Sequence, residues 1–225
     1  MSKTFLIADM HIGHKNTIKM DKRPFDSVEQ MDEEIVHRWN SVVGEDDTTI
    51  IVGDAFWKYR NAKEVLPKLN GRKVLVVGNH DQVILKNKDL MNEFDEIHDY
   101  LELQHGEWTV CLSHYPMFSY NKNYLDRTIH FYGHVHNTQD EYIVRTAQKM
   151  GLETFAKKIV KSCGSGWKLS DGFGLMLNVG CMQPWMDYTP RTIEELIPQA
   201  RLQLEEVKSL SYEQLHKMTM EHSYW

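Results

Sequence analysis

Five short polar clusters hold the side chains of this chain that could do chemistry: Asp9-Met10-His11, Gly53-Asp54, Gly78-Asn79-His80-Asp81, Ser113-His114 and Gly133-His134-Val135-His136. Carboxylate, amide and imidazole together make a donor set for divalent cations. Imidazole suits Zn, Fe, Mn, Ni or Co, and carboxylate and amide oxygens move the preference towards harder ions such as Mn. A mixed nitrogen and oxygen set without thiolate points to a catalytic centre and not to a closed structural site. Singly, the clusters are ordinary. Asp-x-His recurs by chance, Gly-Asp after a strand is commonly a turn, and a lone Ser-His says little. Gly-Asn-His-Asp and Gly-His-Val-His are more specific strings.

Their placement argues for a shared role. "FLIA" runs into Asp9, "TIIVG" into Asp54, "KVLVVG" into Asn79, "TVCLS" into His114 and "TIHFYG" into His134. Sites in open α/β sheets form beyond the carboxyl ends of the strands, so these ends are expected to converge. In an extended segment residues i and i+2 face one side. Asp9 with His11, and His134 with His136, are therefore each expected to face one centre, with Val135 turned into packing. Gly53, Gly78 and Gly133 would allow the sharp turns and close approaches this needs.

The segments that must position these clusters alternate as in an α/β protein. Strands are expected at 3–8, 48–52 and 73–77, each almost wholly apolar, which points to a sheet covered on both faces. Between the first two, Ser27 with Gln30 reads as a capping box, followed by Val28, Met31, Ile35, Trp39 and Val42 on one helical face. A weaker helix, "NAKEVLPKL", is interrupted near Pro67. "IHDYLEL" and "WTVCLSHY" read as a hairpin, and further strands are expected at 128–132 and 175–179. Residues 138–162 read as an inserted helical segment and 162–174 as a glycine- and serine-rich loop. Thr192 with Glu195 is a second capping box, with Leu196, Ala200, Leu204 and Val207 on one face, Pro198 early in the helix and a last helix from Ser211. The expected organisation is a domain over 1–191, carrying 138–174 as an insertion or loop, and a helical C-terminal extension over 192–225 packed on it.

Bulk properties narrow the classes. A net charge of −6 without a basic run argues against an extended nucleic-acid groove. It leaves room for a small phosphorylated substrate, because bound cations would invert the local charge. Three cysteines, Cys111, Cys163 and Cys181, without a CxxC spacing point to a reducing compartment. No apolar run reaches bilayer length and "MSKTFLIADMHIGH" is too briefly apolar for a signal peptide, so a cytoplasmic protein without a membrane partner is expected.

In order, the blocks DxH, GD, GNH[DE], H and GHxH resemble the signature of the calcineurin-like metallophosphoesterases, over residues 4–180. "HIGHKN", "RPFDSVEQMDEEIVHRWNSVV" and "LNGRKVLVVGNHD" are similar to small bacterial and phage-type members. The resemblance implies a two-sheet β-sandwich flanked by helices. It implies two divalent ions, Mn foremost, with Fe, Zn, Ni or Co as alternatives. Asp9, His11 and His136 would hold one, Asn79, His114 and His134 the other, and Asp54 would bridge them. The implied reaction is hydrolysis of a phosphomonoester or phosphodiester, a nucleotide or cyclic nucleotide among the candidates, by a metal-bridging hydroxide. His80 would contact phosphate or act as general acid, with Asp81 orienting it. His14, Asn16 and Arg23 are candidate substrate contacts, with local turn caps or a loop arginine as the ordinary alternatives. Trp57, with Tyr59 and Arg60 further on, counts against the purple-acid-phosphatase type, and GNHD against a serine/threonine protein phosphatase. A nuclease of the superfamily and a non-catalytic metal-binding scaffold are the competing readings. The first lacks a basic run, and the second sits badly with an intact set of ligands and His80. Trp108, Tyr115, Phe118, Tyr120 and Tyr124 are expected in core packing, with a base-binding floor as the alternative. His37, His98, His105, His130, His216 and His222 match nothing in the pattern.

Overall fold

Aliphatic and β-branched runs become the strands of two sheets, and the polar clusters fall where those strands stop. A computed structural model describes residues 2–163 and 174–222. The chain opens with β1 (Thr4–Ile7), α1 (Lys15–Met20), α2 (Val28–Val42) and β2 (Thr48–Val52). It continues with α3 (Tyr59–Val65), a 3₁₀ turn over Leu66–Lys68, β3 (Arg72–Val76), α4 (Gln82–Leu85), α5 (Lys88–Met91) and β4 (Glu96–His98). The second half holds β5 (Leu101–His105), β6 (Trp108–Leu112), β7 (Thr128–Tyr132), α6 (Gln139–Cys163), β8 (Met176–Asn178), β9 (Arg191–Thr192), α7 (Ile193–Ser209) and α8 (Tyr212–Glu221).

The first sheet has the order β4-β3-β2-β1-β9, parallel but for β9, and the second β5-β6-β7-β8, parallel but for β5. The architecture is thus mixed α/β, with two sheets flanked by helices. β2 and β7 are buried almost throughout, as strands covered on both faces must be, whereas edge strand β5 alternates between half-buried and exposed. The sheets meet beyond their strand ends. Ala8 donates to the Val179 carbonyl at 2.9 Å and accepts from Cys181 N–H at 2.8 Å, stitching the exit of β1 to the exit of β8. That seam brings the ends of both sheets to one place.

Several sequence readings change here. Ser27 Oγ accepts from Gln30 N–H, but the Gln30 side chain accepts from Asp26 N–H and not from Ser27, so the box is half formed. Met31, Ile35 and Trp39 are buried, while Val42, at the last turn of α2, is 37% exposed. The second capping box forms in both directions, and Leu196, Ala200, Leu204 and Val207 are buried as their spacing requires. The inserted segment is one continuous helix, α6, and the loop expected at 162–174 falls largely outside the described residues. β9 straddles the expected boundary at 191/192 and pairs with β1, so the C-terminal extension is woven into the first sheet. Among the described residues no helix is long and apolar enough to cross a membrane.

Candidate metal centre

The residues proposed to share a centre do leave the strands together, but not as extended chain. Asp9, His11, Asp54, His134 and His136 all have positive φ, between 48° and 70°. Left-handed backbone costs a non-glycine residue about 1–3 kcal/mol and persists only where its surroundings enforce it. Same-side placement of i and i+2 thus comes from turns and not from strand pleat. Hydrogen bonds between turns enforce it: Asp9 N–H donates to Gly53 O and His11 N–H to Asp54 O, both at 3.0 Å, and Gly133 N–H to His114 O at 3.0 Å. Gly53 has φ 85°, and a Cβ there would strike the His114 imidazole, so this position requires glycine. Val135 is buried with Tyr132, Val144 and Met176, as expected of the residue between the two histidines.

Two groups of donors result. One ligand atom from each of Asp9, His11 and His136 lies within 4.8 Å of the others, and the same holds for Asp9, Asp54 and His114. Asp9 belongs to both groups, and Asp54 Oδ2 lies 3.6 Å from His11 Nε2 and 3.4 Å from His114 Nε2. Asn79 Oδ1 is 3.1 Å from His114 Nε2. The His134 ring lies 5.1 Å from that of His114, and its backbone N–H donates to both Asp9 oxygens. Among the described residues, the structure therefore brings all of Asp9, His11, Asp54, Asn79, His114, His134 and His136 to one cluster.

The donor set fits divalent cations. Asp9 and Asp54 are buried side by side, and no Lys or Arg side chain forms an ion pair with either among the described residues. Burial, with Asp54 nearby, holds the Asp9 carboxyl above its usual range despite the neighbouring imidazoles. Burial opposes ionisation of Asp54 too, but the His114 hydrogen bond and the charges of His114 and His11 bring it down to about 2. Burial, then His136, pushes His11 down to about 2, so its imidazole is neutral. His11 Nε2 faces His136 Nε2 at 3.2 Å, and buried His11 Nδ1 has no partner. Buried carboxylates without a Lys or Arg partner, among imidazoles that hold protons in their place, are what a metal ion would stabilise.

Residues behind the cluster fix its orientation. His136 Nδ1 meets Asp21 Oδ1 at 2.8 Å, and Asp21 is held by Arg23. Buried Arg23 also donates to the carbonyls of Asp9 and Met10. Arg23 is thus no substrate contact: its donors are spent tying the first ligand turn to Asp21. The sequence reading missed Asp21, which sits in "KMDKR" and looks like a solvated charge run. Asp81 is also corrected. Its carboxylate accepts from the backbone N–H groups of Gly78, Asp54 and Ala55 at 2.8–3.0 Å, so both oxygens are occupied by backbone and neither serves His80.

A hollow of about 220 Å³ opens over the cluster, walled by His11, His14, Asn79, His80, His134 and His136 among others. His80 is exposed there, and its backbone N–H donates to Asp54 Oδ1 at 2.8 Å. The His14 ring stacks on Trp57 at 3.7 Å and 5°. Asn16 lines a neighbouring hollow instead. Of the five aromatics expected in the core, Tyr120 is buried but Tyr115, Phe118 and Tyr124 are about half exposed or more. Tyr115 stands edge-on to His134 at 4.6 Å, while Phe118 and Tyr120 line a separate groove beside α6.

No family model matches the chain. It is 36% identical over 146 residues to MJ1445, an uncharacterized protein of Methanocaldococcus jannaschii, covering 63% of this chain and 74% of that one. It is 38% identical over 95 residues to the gene 66 protein of mycobacterium phage L5, covering 40% of this chain and 44% of the phage protein. Among solved structures it is similar to AQ665, a protein of unknown function from Aquifex aeolicus, with TM-score 0.57 at 24% identity over 88% of this chain and all of the other.

Proposed function

We propose that this chain, which belongs to the same family as MJ1445 of Methanocaldococcus jannaschii, is a dinuclear metal-dependent phosphoesterase of calcineurin-like fold. The observation that carries the reading is two donor groups that share Asp9, with Asp54 Oδ2 near the imidazoles of both, built from strained turns at the ends of both sheets. Strain of that kind gathers at functional sites. Asp9, His11 and His136 would hold one ion, Asn79, His114 and His134 the other, and Asp54 both. Mn suits this donor set best, with Fe, Zn, Ni or Co also compatible. A bound divalent pair supplies a nucleophile at neutral pH and Lewis-acid stabilisation of charge on phosphoryl oxygens.

The chain's own groups do the rest. His80, exposed in the hollow, is placed to donate a proton to the leaving oxygen. Its backbone N–H fixes Asp54 Oδ1, so the turn that presents the imidazole also sets the shared carboxylate. Asp21 fixes the ring orientation of His136 by holding Nδ1. His14, held flat against Trp57, adds a second imidazole to the wall facing the substrate. The substrate class is a small phosphomonoester or phosphodiester, nucleotides included. The test is turnover of p-nitrophenyl phosphate and bis(p-nitrophenyl) phosphate by Mn-loaded protein, with metal content measured in parallel. Metal-dependent release of p-nitrophenol, abolished by chelation, is expected. Fully loaded protein that cleaves neither compound nor any of a nucleotide panel would overturn the reading.

A further inference from the structure

The hollow over the ligand cluster is small, about 220 Å³, so a phosphoryl group seated there leaves the remainder of its substrate outside. A wider hollow of about 610 Å³ adjoins it, and the two share Met20 and Thr138 in their walls.

The chemistry of the second hollow differs. Asn16, Lys19, Lys22 and Asn137 line it. Lys19 and Lys22 are exposed, and neither forms an ion pair with a described carboxylate. Both ammonium-bearing side chains line one hollow in a chain of net charge −6. Lys19 sits in the last turn of α1, where a cation also suits the helix dipole, but Lys22 lies beyond that helix. Asp21 shares the wall without opposing an anion, because its carboxylate is buried and committed to Arg23 and His136. The exposed Asp140 belongs to the smaller hollow only. The His222 ring also lines it, tilted 36° to Tyr142 at 4.4 Å, with its nitrogens engaged by the Met218 carbonyl and the Tyr142 hydroxyl. The C-terminal end of α8 thus contributes a fixed aromatic wall.

We propose that this second hollow is a subsite for a second phosphate of the substrate. The preferred compound would then carry one phosphate ester over the ligand cluster and another phosphate within reach of Lys19 and Lys22. Ammonium groups on flexible stems suit this task, since they bind phosphate as point charges without demanding one geometry. The inference rests on the phosphoesterase reading for what occupies the first hollow.

Binding is tested separately from turnover. Mn-loaded full-length protein is titrated calorimetrically with butylphosphonate and with tetramethylene bisphosphonate, neither of which can be hydrolysed. The bisphosphonate should bind about tenfold tighter, and Lys19→Gln/Lys22→Gln should remove most of that advantage, as should raised salt. Equal affinity of the two probes for wild type, or an advantage that survives in the double variant, overturns the subsite. Both substitutions are at exposed positions, and circular dichroism would verify folding. Because the probes are not cleaved, a failed turnover assay sinks the phosphoesterase reading without deciding this result. The source of the second phosphate is then read from competition by adenosine 3′,5′-bisphosphate and by a 5′-phosphorylated thymidine dinucleotide, each against adenosine monophosphate. A clear advantage for either supports the subsite and names a small nucleotide or a nucleic-acid end. Advantage for neither overturns it.

Discussion

His80 and Asp81 are neighbours in the chain and have opposite fates. The imidazole is exposed in the hollow, while the carboxylate is buried and accepts three backbone N–H groups. His80→Ala should therefore keep both metals by elemental analysis and lower kcat by about 10²–10⁴-fold, the usual weight of general acid catalysis. Loss of metal in that variant would refute the role given to it. Asp21 acts through His136 and never reaches substrate, so Asp21→Asn should weaken metal binding about 10–100-fold, with kcat recovering at saturating Mn. A kcat that stays low at saturation would remove Asp21 from the positioning role. The candidate ligands are legible in the sequence because each ends an apolar run in a short polar string. The residues that aim them were not. Asp21 and Arg23 look like surface charge in "KMDKR", and only the folded chain shows the arginine's donors reaching the Asp9 and Met10 carbonyls.

Among the elements, legibility follows length. The buried face of α7 could be read off its spacing because Leu196, Ala200, Leu204 and Val207 recur over several turns, with Thr192 and Glu195 marking the start. α4 and α5 have four residues each, too few to show a period, and β9 has two, so nothing in their sequence distinguishes them from loop. The turns that carry the candidate ligands fall at strand ends as expected but with left-handed and not extended backbone, because residue type reports the end of a strand and not the sign of φ. Gly53 shows what that backbone demands. Gly53→Ala combines a positive φ with a Cβ driven into the His114 ring, and the expected cost is about 2–4 kcal/mol, visible in chemical denaturation of metal-free protein. A change below about 0.5 kcal/mol, the range of ordinary surface substitutions, would mean that the turn can relax around the new methyl group.

At the scale of the whole molecule, the proposed metals would compete with protons for the same buried donors, and this competition should set the pH dependence of stability. Burial alone would lower His114, but the Asp54 and Asp9 carboxylates raise it to about 9 in metal-free protein, and Asp9 and Asp21 raise His136 in the same direction. Groups whose folded pKa exceeds the unfolded value of about 6.5 contribute stability that is complete below that pH. For His114 that contribution is lost as pH rises towards about 9. His11, pushed to about 2, has the opposite sign: it costs stability on acidification below about 6.5 and adds no slope above it. Metal-free protein should therefore lose stability between about pH 6.5 and 9, the window set by His114. Metal binding requires neutral imidazoles, so the stabilisation it brings should grow across the same window. Melting temperatures of Mn-loaded and chelator-treated protein should accordingly diverge as pH rises. A gap independent of pH would mean that the metals do not bind where the protons are held, and would move the centre away from His114 and His136.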